Sequence, residues 1–168
     1  DGSNVVPAIL TVTIFEGDTP NDNLYLTEVM YSPQSNGFDY EWVEFYNPND
    51  IAIFVNSWTI ADNEQKDNIV SEENEIITIP AKSVGILTSS PSTFRETYVN
   101  YKYVFSVEDV AIGNGLGTSE TIILSKNSYN DAFTYTSEDG ANGNGKTLTR
   151  SCYNCANWNE ALSSPGTI

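Results

Sequence analysis

The sequence predicts an all-β protein built as an antiparallel sandwich or barrel, and three observations carry that expectation. Short apolar segments recur along the chain, several alternating with the two-residue period of a half-buried strand. Turn-forming residues separate them at short intervals. No segment of ten or more residues shows a clean 3.6-residue apolar stripe, so helices contribute little. Aromatic residues make up 12% of the chain, and with β-branched residues they suit pleated surfaces.

The predicted strands are Ile9–Phe15, Leu24–Tyr31, Trp42–Asn47, Ile51–Phe54, Trp58–Ala61, Glu75–Ile79, Val84–Thr88, Val104–Ser106, Thr121–Leu124, Asp131–Tyr135 and Thr147–Arg150. In EWVEFYN, Val43 and Phe45 share one face with Glu41 and Asn47, and Trp42, Glu44 and Tyr46 share the other. Asn36-Gly37, Asn114-Gly115, Asn142-Gly143 and Asn144-Gly145 supply the positive φ of tight turns, and Asn47-Pro48-Asn49-Asp50 is a further turn. Ser92–Tyr101 is the one expected helix, with Ser92 as N-cap and Phe94 and Tyr98 one turn apart. Residues 1–21 read as an extra edge strand or a linker, and residues 22–168 as a single domain. A chain that begins at Asp1 without a charged and then apolar leader reads as a segment of something longer.

Composition narrows the chemistry. Seven basic against 23 acidic residues leave a net charge of −16, and there is no histidine. Phosphate neutralisation is therefore disfavoured, so nucleic acid is not an expected partner, and anionic membrane surfaces are repelled for the same reason. No apolar run reaches the roughly 18–20 residues of a membrane span, so insertion is not expected either. Histidine-based dyads, triads and zinc sites are excluded outright. Cys152 and Cys155 form a C-x-x-C pair in a polar loop with no other cysteine to complete a metal site. They read as a local disulfide, which implies an oxidising compartment.

Gly140–Thr147 (GANGNGKT) satisfies the letters of a phosphate-binding G-x-x-x-x-G-K-[ST] loop. That motif needs a buried strand before it and a helix after it, whereas TLTRS reads as a strand. An Asn/Gly-rich turn accounts for the same residues. Glu28, Glu41, Glu44 and Asp62, on or next to predicted strands, are candidates for paired acid/base work. Hard oxygen ligands point to Ca²⁺ as the cation such a chain would take. Asp62, Glu64 and Asp67 in one loop and Glu138 and Asp139 in another are the candidate ligands, without EF-hand spacing; Asp18–Asn23 is a third acidic loop. Tyr98, Tyr101, Tyr103, Tyr153 and Trp158 are placed in or near loops, where a sugar could stack or strand ends could pack.

The order of segments is informative as a set. LYLTEVMYSP (Leu24–Pro33), EWVEFYNPND (Glu41–Asp50), SWTIAD (Ser57–Asp62), ITIPAKSVGILTSS (Ile77–Ser90), GNGLGTSETIILSKNSYNDAFTYT (Gly113–Thr136), GKTLTR (Gly145–Arg150) and a terminal SSPGTI follow one another. Over residues 22–168 this resembles the lamin tail domain family, in its prokaryotic secreted or surface branch. The resemblance implies an immunoglobulin-like β-sandwich with Val43, Phe45, Trp58 and Ile60 in the core. Ser57, where a glycine is common, and Lys82-Ser83, in a turn often richer in glycine, depart from the pattern. The rod and nuclear context of animal lamins do not carry over, since nothing here is heptad-like, nor does nucleic-acid association, which the charge opposes.

The expected function is a non-catalytic interaction or structural module of an extracellular or cell-surface multidomain protein. It would adhere to a protein or surface-glycan partner, or position neighbouring domains of its own chain. The alternative is a carbohydrate- or Ca²⁺-binding accessory module.

Overall fold

The structure is a computed structural model that describes residues 22–35, 37–71 and 77–167. The predicted strand Ile9–Phe15, the segment 1–21 and the first two residues of the predicted strand Glu75–Ile79 lie outside the described residues. The elements are β1 (Tyr25–Met30), β2 (Trp42–Asn47), β3 (Ile53–Phe54), β4 (Thr59–Ala61), β5 (Lys66–Val70), β6 (Thr78–Ile79), β7 (Ser83–Thr88), α1 (Pro91–Thr97), β8 (Val104–Val107), β9 (Ser119–Lys126), β10 (Tyr129–Thr136), β11 (Lys146–Arg150) and β12 (Trp158–Leu162).

Among the described residues, hydrogen bonding links ten strands in the order β10-β9-β4-β5-β8-β7-β2-β1-β11-β12, and β3 pairs separately with β6. The long sheet folds over at β5. Residues 66–68 of that strand pair with β4, and residues 69–70 pair with β8. One strand thereby feeds both layers of an all-β, immunoglobulin-like sandwich. Val43, Phe45, Trp58 and Ile60 are buried between the layers with Leu26, Phe105, Ile122 and Leu124.

Several elements differ from the sequence expectation for identifiable reasons. β5 was not predicted because KDNIV lacks alternation in its first half, and Asp67, expected in a loop, is a buried strand residue. β12 is not predicted because the apolar residues of WNEAL, Trp158, Ala161 and Leu162, do not alternate, as an outer strand paired only with β11 allows. Trp158, expected in or near a loop, opens that strand. The helix starts at Pro91, with Ser90 rather than Ser92 at the cap position, and ends at Thr97. Proline suits the first helical position because its missing N–H would be unpaired there anyway.

The antiparallel expectation also has one exception. β7 and β8 are parallel, because α1 and the loop after it carry the chain back across the sheet before β8 begins. The same crossover explains why β2 is buried on both faces. Val43 and Phe45 face the sandwich, while Trp42 packs edge-on against Phe94 and Tyr98 from α1 and its C-terminal end, at centroid distances of 5.7 and 5.8 Å.

Candidate functional site

Four of the residue groups singled out above come together with others in ways that decide what they do. Glu28 and Glu44 are direct cross-strand partners on β1 and β2, and both are fully buried. Glu44 accepts from Thr27 Oγ1 at 2.6 Å and from the Gly166 N–H at 2.5 Å. Glu28 accepts from Thr147 Oγ1 at 2.5 Å and from the Ser164 N–H at 2.9 Å. Burial raises both carboxyls, Glu44 to about 7, with Glu28 adding repulsion to Glu44. A raised carboxyl suits a general acid, but neither side chain reaches solvent. Their geometry serves to pin the terminal turn at 164–166 onto the sheet.

Glu41 is likewise buried and accepts from the Leu116 N–H at 2.9 Å, with burial lifting it to about 7. Asp62 Oδ1 takes the N–H groups of Glu64 and Gln65 at 2.8 and 2.7 Å, and Oδ2 takes that of Asn114 at 2.8 Å. Asp67 Oδ2 accepts the Gly113 N–H at 2.5 Å, and Glu64 accepts from the Asn114 side chain at 2.7 Å. The first Ca²⁺ candidate loop is therefore brought together, with amide donors occupying its oxygens. Gly113 has φ +58 and no room for a Cβ beside the Asp62 carboxylate, so glycine is required for that approach. Glu138 and Asp139 lie apart, where the Asp139 carboxylate accepts the Thr136 N–H at 2.7 Å and closes a capping box. Among the described residues, no group of three or more His, Cys, Asp or Glu side chains is arranged to hold a metal ion. Cys152 and Cys155 are joined by a disulfide.

The Gly140–Thr147 loop does cradle an anion, but the anion is the chain's own. Glu160 of β12 accepts the Ala141 N–H at 2.6 Å, the Asn144 side-chain amide at 2.8 Å and Lys146 Nζ at 2.5 Å. These donors hold its carboxyl down at about 2. The expectation of a strand after the loop is met by β11, and no helix follows to present its N-terminus to a phosphate.

The aromatic residues do not assemble into one platform. Tyr153 packs edge-on to Tyr25 at 5.3 Å, Trp158 stacks on Phe133 at 3.8 Å, and Tyr98 donates to or accepts from Ser163 at 2.6 Å. Tyr101 and Tyr103 do line a shared groove of about 490 Å³, bounded on one side by Lys82, Ser83 and Val84 and on the other by Asn100 and Lys102. Lys102 sits 5.5 Å over the Tyr103 ring. Arg95 Nε reaches the Tyr101 carbonyl at 3.5 Å. Two of the seven basic residues thus line one groove of a strongly acidic chain. The lysines were passed over in reading the sequence. Their separation of twenty positions hides a proximity that only the β7–α1–β8 crossover creates, and the Tyr-Lys-Tyr run at 101–103 was the available signal.

No helix among the described residues is long and apolar enough to cross a membrane. No curated protein and no solved structure matches the chain significantly. A family model described as Lamin Tail Domain matches residues 18–147, a span running from before β1 into β11. With most of the sandwich inside that match and the fold as the resemblance implied, the chain belongs to the lamin tail domain family.

Proposed function

We propose that this protein is a non-catalytic interaction module of a secreted or cell-surface multidomain protein, holding a neighbouring domain or a protein partner in place. The lamin tail domain is an interaction domain rather than a catalytic one. One observation carries the reading for this chain: the carboxylates closest to acid/base roles are consumed internally. Glu28 and Glu44 anchor the terminal turn, Glu41 holds the Leu116 amide, and Asp62 organises two loops. What remains for function is surface, and the 82–84/100–103 groove is its best-formed feature. The Cys152–Cys155 disulfide supports an oxidising, extracellular setting.

Two measurements test this. Cross-linking through lysines in the native setting, read by mass spectrometry, is expected to join Lys82 or Lys102 to another domain or protein. Thiol labelling of the freshly isolated native protein is expected to find Cys152 and Cys155 blocked. Turnover of a glycoside, ester or phosphate panel that disappears in Glu44→Gln would overturn the non-catalytic reading, and two free thiols would overturn the extracellular one.

A further inference from the structure

We propose that the groove beside β7 takes up a short, extended, acidic segment of a protein partner as an added β-strand; this rests on the interaction-module reading and names the partner's chemistry. The backbone makes the first part of the case. β7 pairs with β2 along its whole length, from Ser83 opposite Asn47 to Thr88 opposite Trp42. On its other side β8 pairs only with Ile86, Leu87 and Thr88. Ile86 donates its N–H to the Tyr103 carbonyl at 2.9 Å, which fixes the side to which its peptide groups point. Peptide direction alternates along a strand, so Val84, two residues earlier, directs its N–H and C=O to that same side. Beyond the Tyr103 bond no hydrogen bond ties Asn100–Lys102 to Val84 among the described residues, and the groove is lined there by Ser83, Val84, Asn100–Tyr103 and Gly166. A strand edge left unpaired beside a cavity is the template on which β-addition works.

Charge selects the occupant. Lys82 and Lys102 both line the groove. Lys82 is shared only with the highly exposed Asp50 carboxylate, 3.0 Å away, and with the Pro48 carbonyl. Lys102 makes no ion pair among the described residues and rests over an aromatic face. At physiological ionic strength charges are screened over about 8 Å. The net −16 of the chain is therefore damped at the groove, and the local lysines decide which side chains are accepted. Tyr101 and Tyr103 supply apolar wall for the alternate residues of a strand whose acidic residues meet the lysines.

The test uses a fluorescein-labelled peptide alternating Glu and Val, its Lys/Val counterpart, and an N-methylated Glu/Val version that cannot donate main-chain hydrogen bonds. Fluorescence polarisation with the full chain is expected to show saturable binding of the Glu/Val peptide alone. In ¹⁵N spectra the shifts should concentrate at Val84, Gly85, Lys102 and Tyr103. The double variant Lys82→Glu/Lys102→Glu is expected to weaken binding at least about tenfold and Lys102→Glu alone to weaken it measurably, with Lys66→Glu, which does not line the groove, as the charge-matched control for the single change. Equal binding of the Lys/Val or N-methylated peptide, equal loss in the Lys66→Glu control, or no saturable binding would each overturn the proposal. If the peptides fail while native cross-links from the chain to another domain persist in the double variant, the groove assignment falls and the interaction-module reading stands.

Discussion

β1 carries two buried polar clusters that solve the same problem with opposite electrostatics. At the seam where β10 lies against β1, Arg150 Nη1 meets Asp131 Oδ2 at 2.7 Å and the Leu26 carbonyl at 3.1 Å, and its Nε donates to the Cys155 carbonyl. Asp131 also accepts the Leu26 N–H at 2.8 Å. The register of β1 shifts between Leu26 and Glu28, just where these groups must be satisfied outside the ladder. Two residues after Leu26, Glu28 and its cross-strand partner Glu44 put two carboxyls side by side and balance them only with N–H and O–H donors. The first cluster is a pair of opposite charges. The second is quiet only while at least one carboxyl keeps its proton. Opposite charges close the sandwich permanently; like charges make the attachment of the terminal turn depend on pH.

The comparison breaks first at Arg150. Replacing it by alanine leaves the partly buried Asp131 without its cation and the Leu26 and Cys155 carbonyls without that donor. The expected cost is about 3–5 kcal/mol, seen as a lower denaturant midpoint. Arg150→Lys should recover only part of that, because a single ammonium cannot span the three acceptors. A loss under about 1 kcal/mol for the alanine variant would show that the seam is held by packing such as the Phe133–Trp158 stack instead.

The like-charge cluster predicts a pH dependence of defined sign. Glu44 and Glu41 are raised to about 7 and Glu28 is raised as well, all chiefly by burial. A carboxyl that holds its proton more tightly when folded adds stability below its unfolded value and forfeits it as pH climbs through the folded one. The thermal midpoint should therefore fall by several degrees between pH 5 and pH 8. Glu44→Gln should flatten part of that slope while leaving the Arg150 effect unchanged. A midpoint that rises over this range would mean that the donors, and not burial, dominate.

A smaller effect is expected at Gly166. Its φ is +85, and a Cβ there would meet the Tyr101 hydroxyl and ring at 2.6–3.0 Å. Gly166→Ala should cost about 1–3 kcal/mol and speed amide hydrogen exchange at residues 164–166, with the sandwich intact by circular dichroism. Wild-type exchange rates in that variant would show that Glu44 does not depend on the turn. Smallest of all is the response to calcium. Because backbone and side-chain amides already occupy the Asp62 and Asp67 oxygens, millimolar Ca²⁺ against chelator should move the midpoint by less than about 1 °C. A shift of several degrees would place a cation at that turn.

Legibility in the sequence followed burial. Strands whose one face is apolar, such as β2 and β9, announced themselves by alternation, and the glycines at 115, 143 and 145 marked turns that do adopt positive φ. β5 and β12 stayed hidden because polar residues hold their places. Asp67 is buried on the Gly113 amide, and Glu160 is wrapped by the loop before β11. A carboxylate satisfied by backbone donors behaves as a core or clasp residue, and periodicity of hydrophobicity has no means of recognising it. The same blindness affected the candidate site. Glu28, Glu44, Asp62 and Asp67 were legible as unusual carboxylates near strands, but their partners lie up to 136 positions away.

By itself the sequence determined the fold class, the family and the chemistry that histidine would have supplied, because these depend on composition, local periodicity and the order of segments. Only the tertiary structure decided which carboxylates are clasps, that the phosphate-loop lettering encloses Glu160, and that Lys82 and Lys102 share a groove beside an open strand edge. Those outcomes depend on long-range pairing: the parallel return of β8 and the folding of β5 between two layers. Strand partners distant in sequence place donors beside acceptors and lysines beside one another, and no local pattern encodes that distance.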